Sequence, residues 1–444
     1  MSTPPEGHPG APPTAVQGLF PDVCGLGVAV VCALGAGVLI WTGWGTQGQS
    51  TTWMVAALLT GMWVLPATPL VFPVLLAVLV LCLFDVVAPT QLLAGAAGDA
   101  LLWLLGAFAL SVAASDSGLL GTLVARATRS LRTATRARPG LPAVLWLGAA
   151  FALLPSPVQA QRWALAFCAV PTLLPAARCD IARAARLWSR LAWLPAHPVS
   201  LIALGLLPSG GLDRFVPMHW LLHTWPLWAL ALAHGMLVQW GASPVTAPEM
   251  PRVALLPVAH EDAPAQRSVL GVVAASVLAI GLQPFHGLAP GMVAVFALVL
   301  LFALQVLPPG RFHHDVDWAL FLCVALLPGL ITVLAVPLPM SSLAWPLTAL
   351  ALPFLLLLRT VLPSVGAASV ALLLALSWAH RTGHDLLDIA LPVLVAAHIA
   401  DFMLSRRGTE DAAVGMRAVA GALLRPANWL WAGAFYLWLA WVGL

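Results

Sequence analysis

Long apolar stretches follow one another along this chain of 444 residues. Two of them carry the same tripeptide break, Leu154-Pro155-Ser156 and Leu362-Pro363-Ser364, 208 residues apart. Inside a bilayer the backbone has no water to bond, so a proline that opens a helix is tolerated only where protein or a polar cavity receives the freed groups. Paired interruptions in corresponding halves of a chain therefore point to the substrate site of a secondary transporter.

These stretches are not cores of soluble domains, because the chain is 61% hydrophobic and only 8% charged, outside the range of a soluble fold of this length. An all-α polytopic membrane protein is expected. Its 20 basic residues are all Arg, and 20 Trp stand against one Tyr, which reads as GC-rich bacterial coding and suggests a multi-pass protein of a bacterial inner membrane. The six cysteines include no Cys-x-x-Cys pair and read as packing residues. A net charge of +3 reflects arginines that orient helices, and no nucleic-acid partner is expected.

Residues 1–20 are rich in Pro and Gly and read as a disordered tail. A first helix is expected near 21–41, then spans near 52–67, 69–88 and 101–120, each close to the ~20 residues that cross hydrocarbon. Two basic runs follow, Arg126, Arg129, Arg132, Arg136 and Arg138, then Arg178, Arg183, Arg186 and Arg190. Read as loops, both are cytoplasmic by the positive-inside rule. The apolar segment 141–177 between them then starts and ends on one side, either as two short crossings or as a re-entrant hairpin. Pro155, Pro157, Gln159, Gln161 and Arg162 in its middle favour the hairpin, whose tip can line a site.

Helices near 191–207 and 217–240 complete a first repeat over 21–240. The polar stretch 241–267 reads as a linker to a second repeat over 268–444. That half has spans near 268–283, 289–307, 318–336, 386–404 and 427–443, and a second hairpin over 343–379. Asp317-Trp318-Ala319-Leu320 echoes Asp99-Ala100-Leu101-Leu102 at nearly the same offset as the tripeptides. Counting elements gives about 10 or 11 spanning helices and places the second half upside down relative to the first.

From residue 53 onward the order of segments resembles the divalent anion:sodium symporters of the ion transporter superfamily. Trp103 to Ser111 followed by Ser117-Gly118-Leu119 looks like that family's Gly-Phe-rich span, and residues 153–175 and 359–375 look like its two Ser-Asn-Thr hairpins. The resemblance implies inverted repeats, a homodimer in membrane lipid, elevator-type alternating access, and a small anionic substrate. Of the family's hairpin motifs only Ser156 and Ser364 match, with Pro157-Val158 and Val365-Gly366 in place of Asn-Thr. Its unwound Gly-Thr-Pro-Pro-Asn stretches correspond to Pro208-Ser209-Gly210-Gly211 and Gly408-Thr409-Glu410-Asp411. On this basis Ser209 is a candidate for ion coupling. Asn and Thr oxygens that would hold sodium are missing, so the coupling ion is left open between Na+ and H+, and no other cofactor or metal is expected.

Arg162 and Arg359 lie within six residues of the serines. A guanidinium near mid-bilayer usually faces a cavity or a partner, so either residue is a candidate to pair an anionic substrate, alongside Ser156, Gln159, Thr360 and Ser364. The alternative is an Arg that snorkels or pairs with a nearby Asp. His398 and Asp401, three apart on one helix, suit a proton relay or a structural pair. His219 and His223 share a helical face within an aromatic belt, and Arg311 to Asp317 reads as a solvated loop.

Two other classes compete. His380 and Asp385 have a His-x4-Asp spacing used by some membrane acyltransferases, which would make the chain an enzyme on a lipid-linked substrate. The lost Asn and Thr residues suit a transport-inactive scaffold or sensor. A non-enzymatic permease for a di- or tricarboxylate or an inorganic oxyanion is the expectation the residues support best.

Overall fold

The structure, a computed structural model, describes residues 47–64, 69–93, 98–133, 141–169, 175–193, 197–206, 217–241, 263–335, 347–405 and 415–442. The expected tail, the helix near 21–41, Ser209 and most of the linker lie outside the described residues.

Among those described, every regular element is a helix. The first half contains α1 (Gln47–Trp63), α2 (Val71–Leu83), α3 (Pro89–Leu92), α4 (Asp99–Asp116), α5 (Leu119–Thr133), α6 (Leu141–Ala152), α7 (Pro157–Ala169), α8 (Pro175–Ala192), α9 (Pro198–Leu206) and α10 (Pro217–Gly241). The second contains α11 (Ala263–Gly281), α12 (Gln283–His286), α13 (Pro290–Ala303), α14 (Pro309–Asp315), α15 (Trp318–Leu334), α16 (Leu347–Leu358), α17 (Ser364–Thr382), α18 (Leu386–Leu404), α19 (Met416–Leu423) and α20 (Pro426–Val442).

Four helices, α4, α10, α11 and α18, are long and apolar enough to cross a membrane, and α14 with α15, bent by 65°, would make a fifth. This is fewer than the ten or eleven expected from the sequence. Turns and prolines end the other apolar helices early: α2 has 13 residues and α6 has 12. A 13-residue helix reaches only about 20 Å against a hydrocarbon thickness of ~30 Å.

One corner occurs twice. After α2, Asp85 takes a left-handed conformation (φ 52°), and after α13, Gln305 does the same (φ 56°). In both, the residue itself donates to the carbonyl three back, and its successor to the carbonyl five back: Asp85 to Cys82 and Val86 to Leu81, Gln305 to Phe302 and Val306 to Leu301. This is the Schellman pattern, which ordinarily takes glycine. A short helix starting on Pro89 or Pro309 follows each corner, then a long helix headed by Asp99 or Asp317. Packing crosses between the halves, α2 against α15 and α13 against α4.

The aspartates explain why the long helices begin where they do. Asp317 accepts from Leu320 N at 3.0 Å, and Asp385 caps α18 by accepting from Leu387 N, each satisfying an orphan donor of a first turn. Asp99 instead accepts from Gly291 N at 2.7 Å, joining the starts of α4 and α13.

The second basic run is not a loop. Arg178, Arg183, Arg186 and Arg190 lie on α8, an 18-residue helix, and Arg178, Arg186 and Arg190 are buried. Counting charge without geometry assigned them to cytoplasmic water. Their spacing instead gathers them on one helical face turned into the protein, so they no longer fix both ends of 141–177 on one side. Of the run Arg311 to Asp317, expected as a loop, residues 311–315 are likewise helical, within α14.

Candidate functional site

Both tripeptide breaks are real interruptions of helix. The first separates α6 from α7 and the second separates α16 from α17. Arms α16 and α17 pack on each other and on α18, while α6 and α7 both pack on α8.

At the second break the freed carbonyl of Leu362 is met by Arg359 Nη1 at 2.8 Å. The same guanidinium donates through Nε to Asp401 Oδ1 at 3.1 Å. Asp401 Oδ2 accepts from Ser364 Oγ at 2.5 Å and lies 3.5 Å from Arg190 Nη1 of α8. All four residues are buried. One carboxylate thus faces two guanidiniums and a hydroxyl where water is excluded. A guanidinium offers five N–H donors in a planar fork suited to carboxylate or oxyanion geometry.

One turn before Asp401 on α18, His398 Nε2 lies 3.1 Å from Ser200 Oγ of α9. His197 meets the His398 ring edge-on at 5.2 Å between centroids, and its Nδ1 accepts from Val199 N at the start of α9. Thr360 is spent locally, donating to Leu357 O at 2.7 Å, while its carbonyl accepts from Gly415 N. Arg183 donates to Ser405 O at 2.8 Å and pairs with Asp180, so it closes the carbonyl end of α18.

At the first break Ser156 Oγ donates to Asp317 Oδ2 at 3.1 Å. Gln159 accepts from Ser111 Oγ at 3.1 Å and donates to Asp315 O at 3.5 Å. The first break is therefore held by the junction between α14 and α15 and by Ser111 of α4. Arg162 does not join it: the side chain is exposed on α7, with no ion pair among the described residues.

Of the candidates, Arg359, Ser364, Asp401 and His398 come together at the second break, and Ser156 with Gln159 at the first. Arg190, His197 and Ser200 were not singled out in the sequence. Arg190 was hidden in the supposed loop, although the spacing of Arg178, Arg186 and Arg190 could have revealed a helical face. Nothing in the sequence marks Ser200 as a partner of His398.

Among the described residues no three His, Cys, Asp or Glu side chains gather as metal ligands. His223 Nδ1 is 2.7 Å from His219 O, within its own helix. Asp385, half of the His-x4-Asp pair, serves as the cap of α18.

An all-helical fold among the described residues, with four or five apolar helices long enough to cross a bilayer, is that of a helical membrane protein. Compared with known proteins, the chain matches no family model and no curated relative.

Proposed function

We propose that this chain is a secondary active transporter, a permease that moves a small anionic solute such as a di- or tricarboxylate or an inorganic oxyanion by alternating access. One observation carries the reading. At the second tripeptide break the buried guanidiniums of Arg359 and Arg190 and the buried hydroxyl of Ser364 converge on the buried carboxylate of Asp401. Burying an ion costs several kcal/mol unless it is compensated, and guanidiniums gathered on one carboxylate beside an interrupted helix are the donors an anion pathway needs.

In this reading Asp401 holds Arg359 and Arg190 while substrate is absent. An arriving anion takes over guanidinium donors, and the Ser364 hydroxyl is free to bond it. The driving gradient is sodium or proton. His398, one turn from Asp401 and beside Ser200, gives the proton version a titratable group. The repeated corners at Asp85 and Gln305, with the crossed packing of α2 and α13, support two inverted repeats. The tripeptide breaks support re-entrant segments within them. A homodimer in a bacterial inner membrane completes the proposal.

The test is uptake into proteoliposomes holding the full chain, with labelled succinate, citrate, sulfate and phosphate presented under separately imposed sodium and proton gradients. At least one anion should accumulate under one gradient, and Arg359→Gln and Arg190→Gln should each cut that uptake at least about 10-fold, as loss of a charged hydrogen bond does. Failure of every anion under both gradients would overturn the proposal.

A further inference from the structure

The two basic runs take opposite places in the packing. On α8, Arg178, Arg186 and Arg190 are buried, whereas on α5 Arg126 and Arg129 are exposed, three positions apart and so on one side of the helix. The other side of α5, with Leu120, Leu123, Val124 and Ala127 buried, packs on α6. No Asp or Glu occurs between Asp116 and Asp180, so neither α5 nor α6 carries a carboxylate to face these guanidiniums.

The preceding helix sets the level of α5. α4 is long and apolar enough to cross a membrane and ends at Asp116. Gly118, at φ 76°, then turns the chain into α5, which therefore starts at a membrane face. Trp146 of α6 lies under the Arg126 guanidinium, 5.0 Å from it to the ring centroid, and indole rings collect at the headgroup boundary. Stacking of this kind occupies a face of the guanidinium and not its N–H edge. Arg126 makes no ion pair among the described residues. Beside it α6 leaves Leu141 exposed and Leu145 and Trp146 half-buried.

We infer that the pair α5 and α6 holds the headgroup of an anionic phospholipid, with Arg126 and Arg129 on its phosphodiester. Two phosphodiester oxygens match the planar guanidinium fork, and the apolar side chains of α6 offer the start of an acyl chain a surface. A soluble anion would use only the arginines, and a zwitterionic lipid brings an ammonium that they repel. The occupant that answers both halves of the surface is a lipid with net negative charge. Each Arg beside such a lipid is worth roughly 5-fold in binding, less at high salt. The site goes beyond the transport reading and involves none of the residues around Asp401.

The experiment is native mass spectrometry of the purified, delipidated full chain in neutral detergent. It is titrated with phosphatidylglycerol, with phosphatidylcholine of the same acyl chains, and with soluble glycerophosphate. The wild type should retain a first phosphatidylglycerol at concentrations where the other two leave no adduct. Arg126→Gln should raise the half-saturating concentration roughly 5-fold, and Arg126→Gln with Arg129→Gln roughly 25-fold. Both side chains are exposed, so these variants keep the fold, which circular dichroism checks. Arg162→Gln, at an exposed arginine of α7, and Arg359→Gln, in the Asp401 cluster, should leave phosphatidylglycerol binding unchanged. Equal retention of the two lipids, undiminished retention in the double variant, or an equal loss in Arg162→Gln or Arg359→Gln overturns the site. Retention of glycerophosphate as tight as that of phosphatidylglycerol overturns the lipid as occupant. No gradient or turnover is read, so each outcome is distinct from a failure of uptake.

Discussion

The Arg359 guanidinium meets the Asp401 carboxylate at 3.1 Å, with 3% and 2% of the two side chains exposed. Breaking such a pair from one side costs roughly 3–5 kcal/mol, because the survivor is left buried and uncompensated. The two sides are not equivalent here, since Arg190 also lies 3.5 Å from Asp401. Asp401→Asn takes the shared carboxylate from two guanidiniums, whereas Arg359→Gln leaves the carboxylate with Arg190. Asp401→Asn should therefore be the more damaging change, and the pair Arg359→Met with Asp401→Leu should lose less than Asp401→Asn alone. Thermal unfolding of the three variants in detergent ranks them; equal losses for the two single changes would contradict the shared carboxylate.

Cys168 and Cys179 bring their sulfurs to 2.9 Å, although they belong to different helices, α7 and α8. A disulfide needs the sulfurs at about 2.05 Å, a small further approach. Mild oxidation with diamide, which accepts the two electrons and two protons, should join them and clamp the end of α7 to the first turn of α8. Peptide mapping under non-reducing conditions should find the linked pair, and Cys168→Ala should abolish it. Linkage of either cysteine to another partner in preference would count against the geometry.

The sequence was most legible where a single helix decides the outcome. The span expected at 386–404 is α18, with Asp385 supplying its cap, because apolar length and a capping residue are local signals. The meeting of Ser364 with Asp401 was half legible. The proline break marked the serine and intramembrane charge marked the aspartate, but their contact depends on how α17 packs against α18. The arginines of α8 were misread because the positive-inside rule counts charge near membrane ends and is blind to a basic helix folded inward. Cys168 with Cys179, and His398 with Ser200, arise from packing between helices and leave no trace in spacing.

Gly329 of α15 faces the backbone carbonyls of Gln91 and Leu92, and a Cβ added there would overlap the Leu92 carbonyl oxygen. The neighbour is backbone, which cannot swing aside. Gly329→Ala should therefore cost about 1–3 kcal/mol, although alanine is otherwise the better helix former. Gly271→Ala, at a helical glycine with nothing within 4 Å of the added carbon, is the control and should be neutral or slightly stabilising. A lower unfolding midpoint for the first and not the second is the expected result; two neutral outcomes would mean that α15 and α3 are further apart.

The left-handed corners at Asp85 (φ 52°) and Gln305 (φ 56°) make a prediction that links the two halves. A side chain in this conformation costs roughly 1–2 kcal/mol, less for a short polar residue such as Asp, and glycine at the same position escapes the cost at some loss of chain entropy. Asp85→Gly and Gln305→Gly should each stabilise the protein by about 0.5–1 kcal/mol, with the larger gain at Gln305, whose longer side chain is less at home there. The two corners lie in different halves and share no described hydrogen bond, so the double variant should show the sum of the single effects. Ala303→Gly, two residues earlier and inside α13, should destabilise by up to about 1 kcal/mol, which separates relief of strain from a general tolerance of glycine. Opposite signs for Asp85→Gly and Gln305→Gly would mean that the corners are not the same device, and would remove the strongest structural support for an internal repeat.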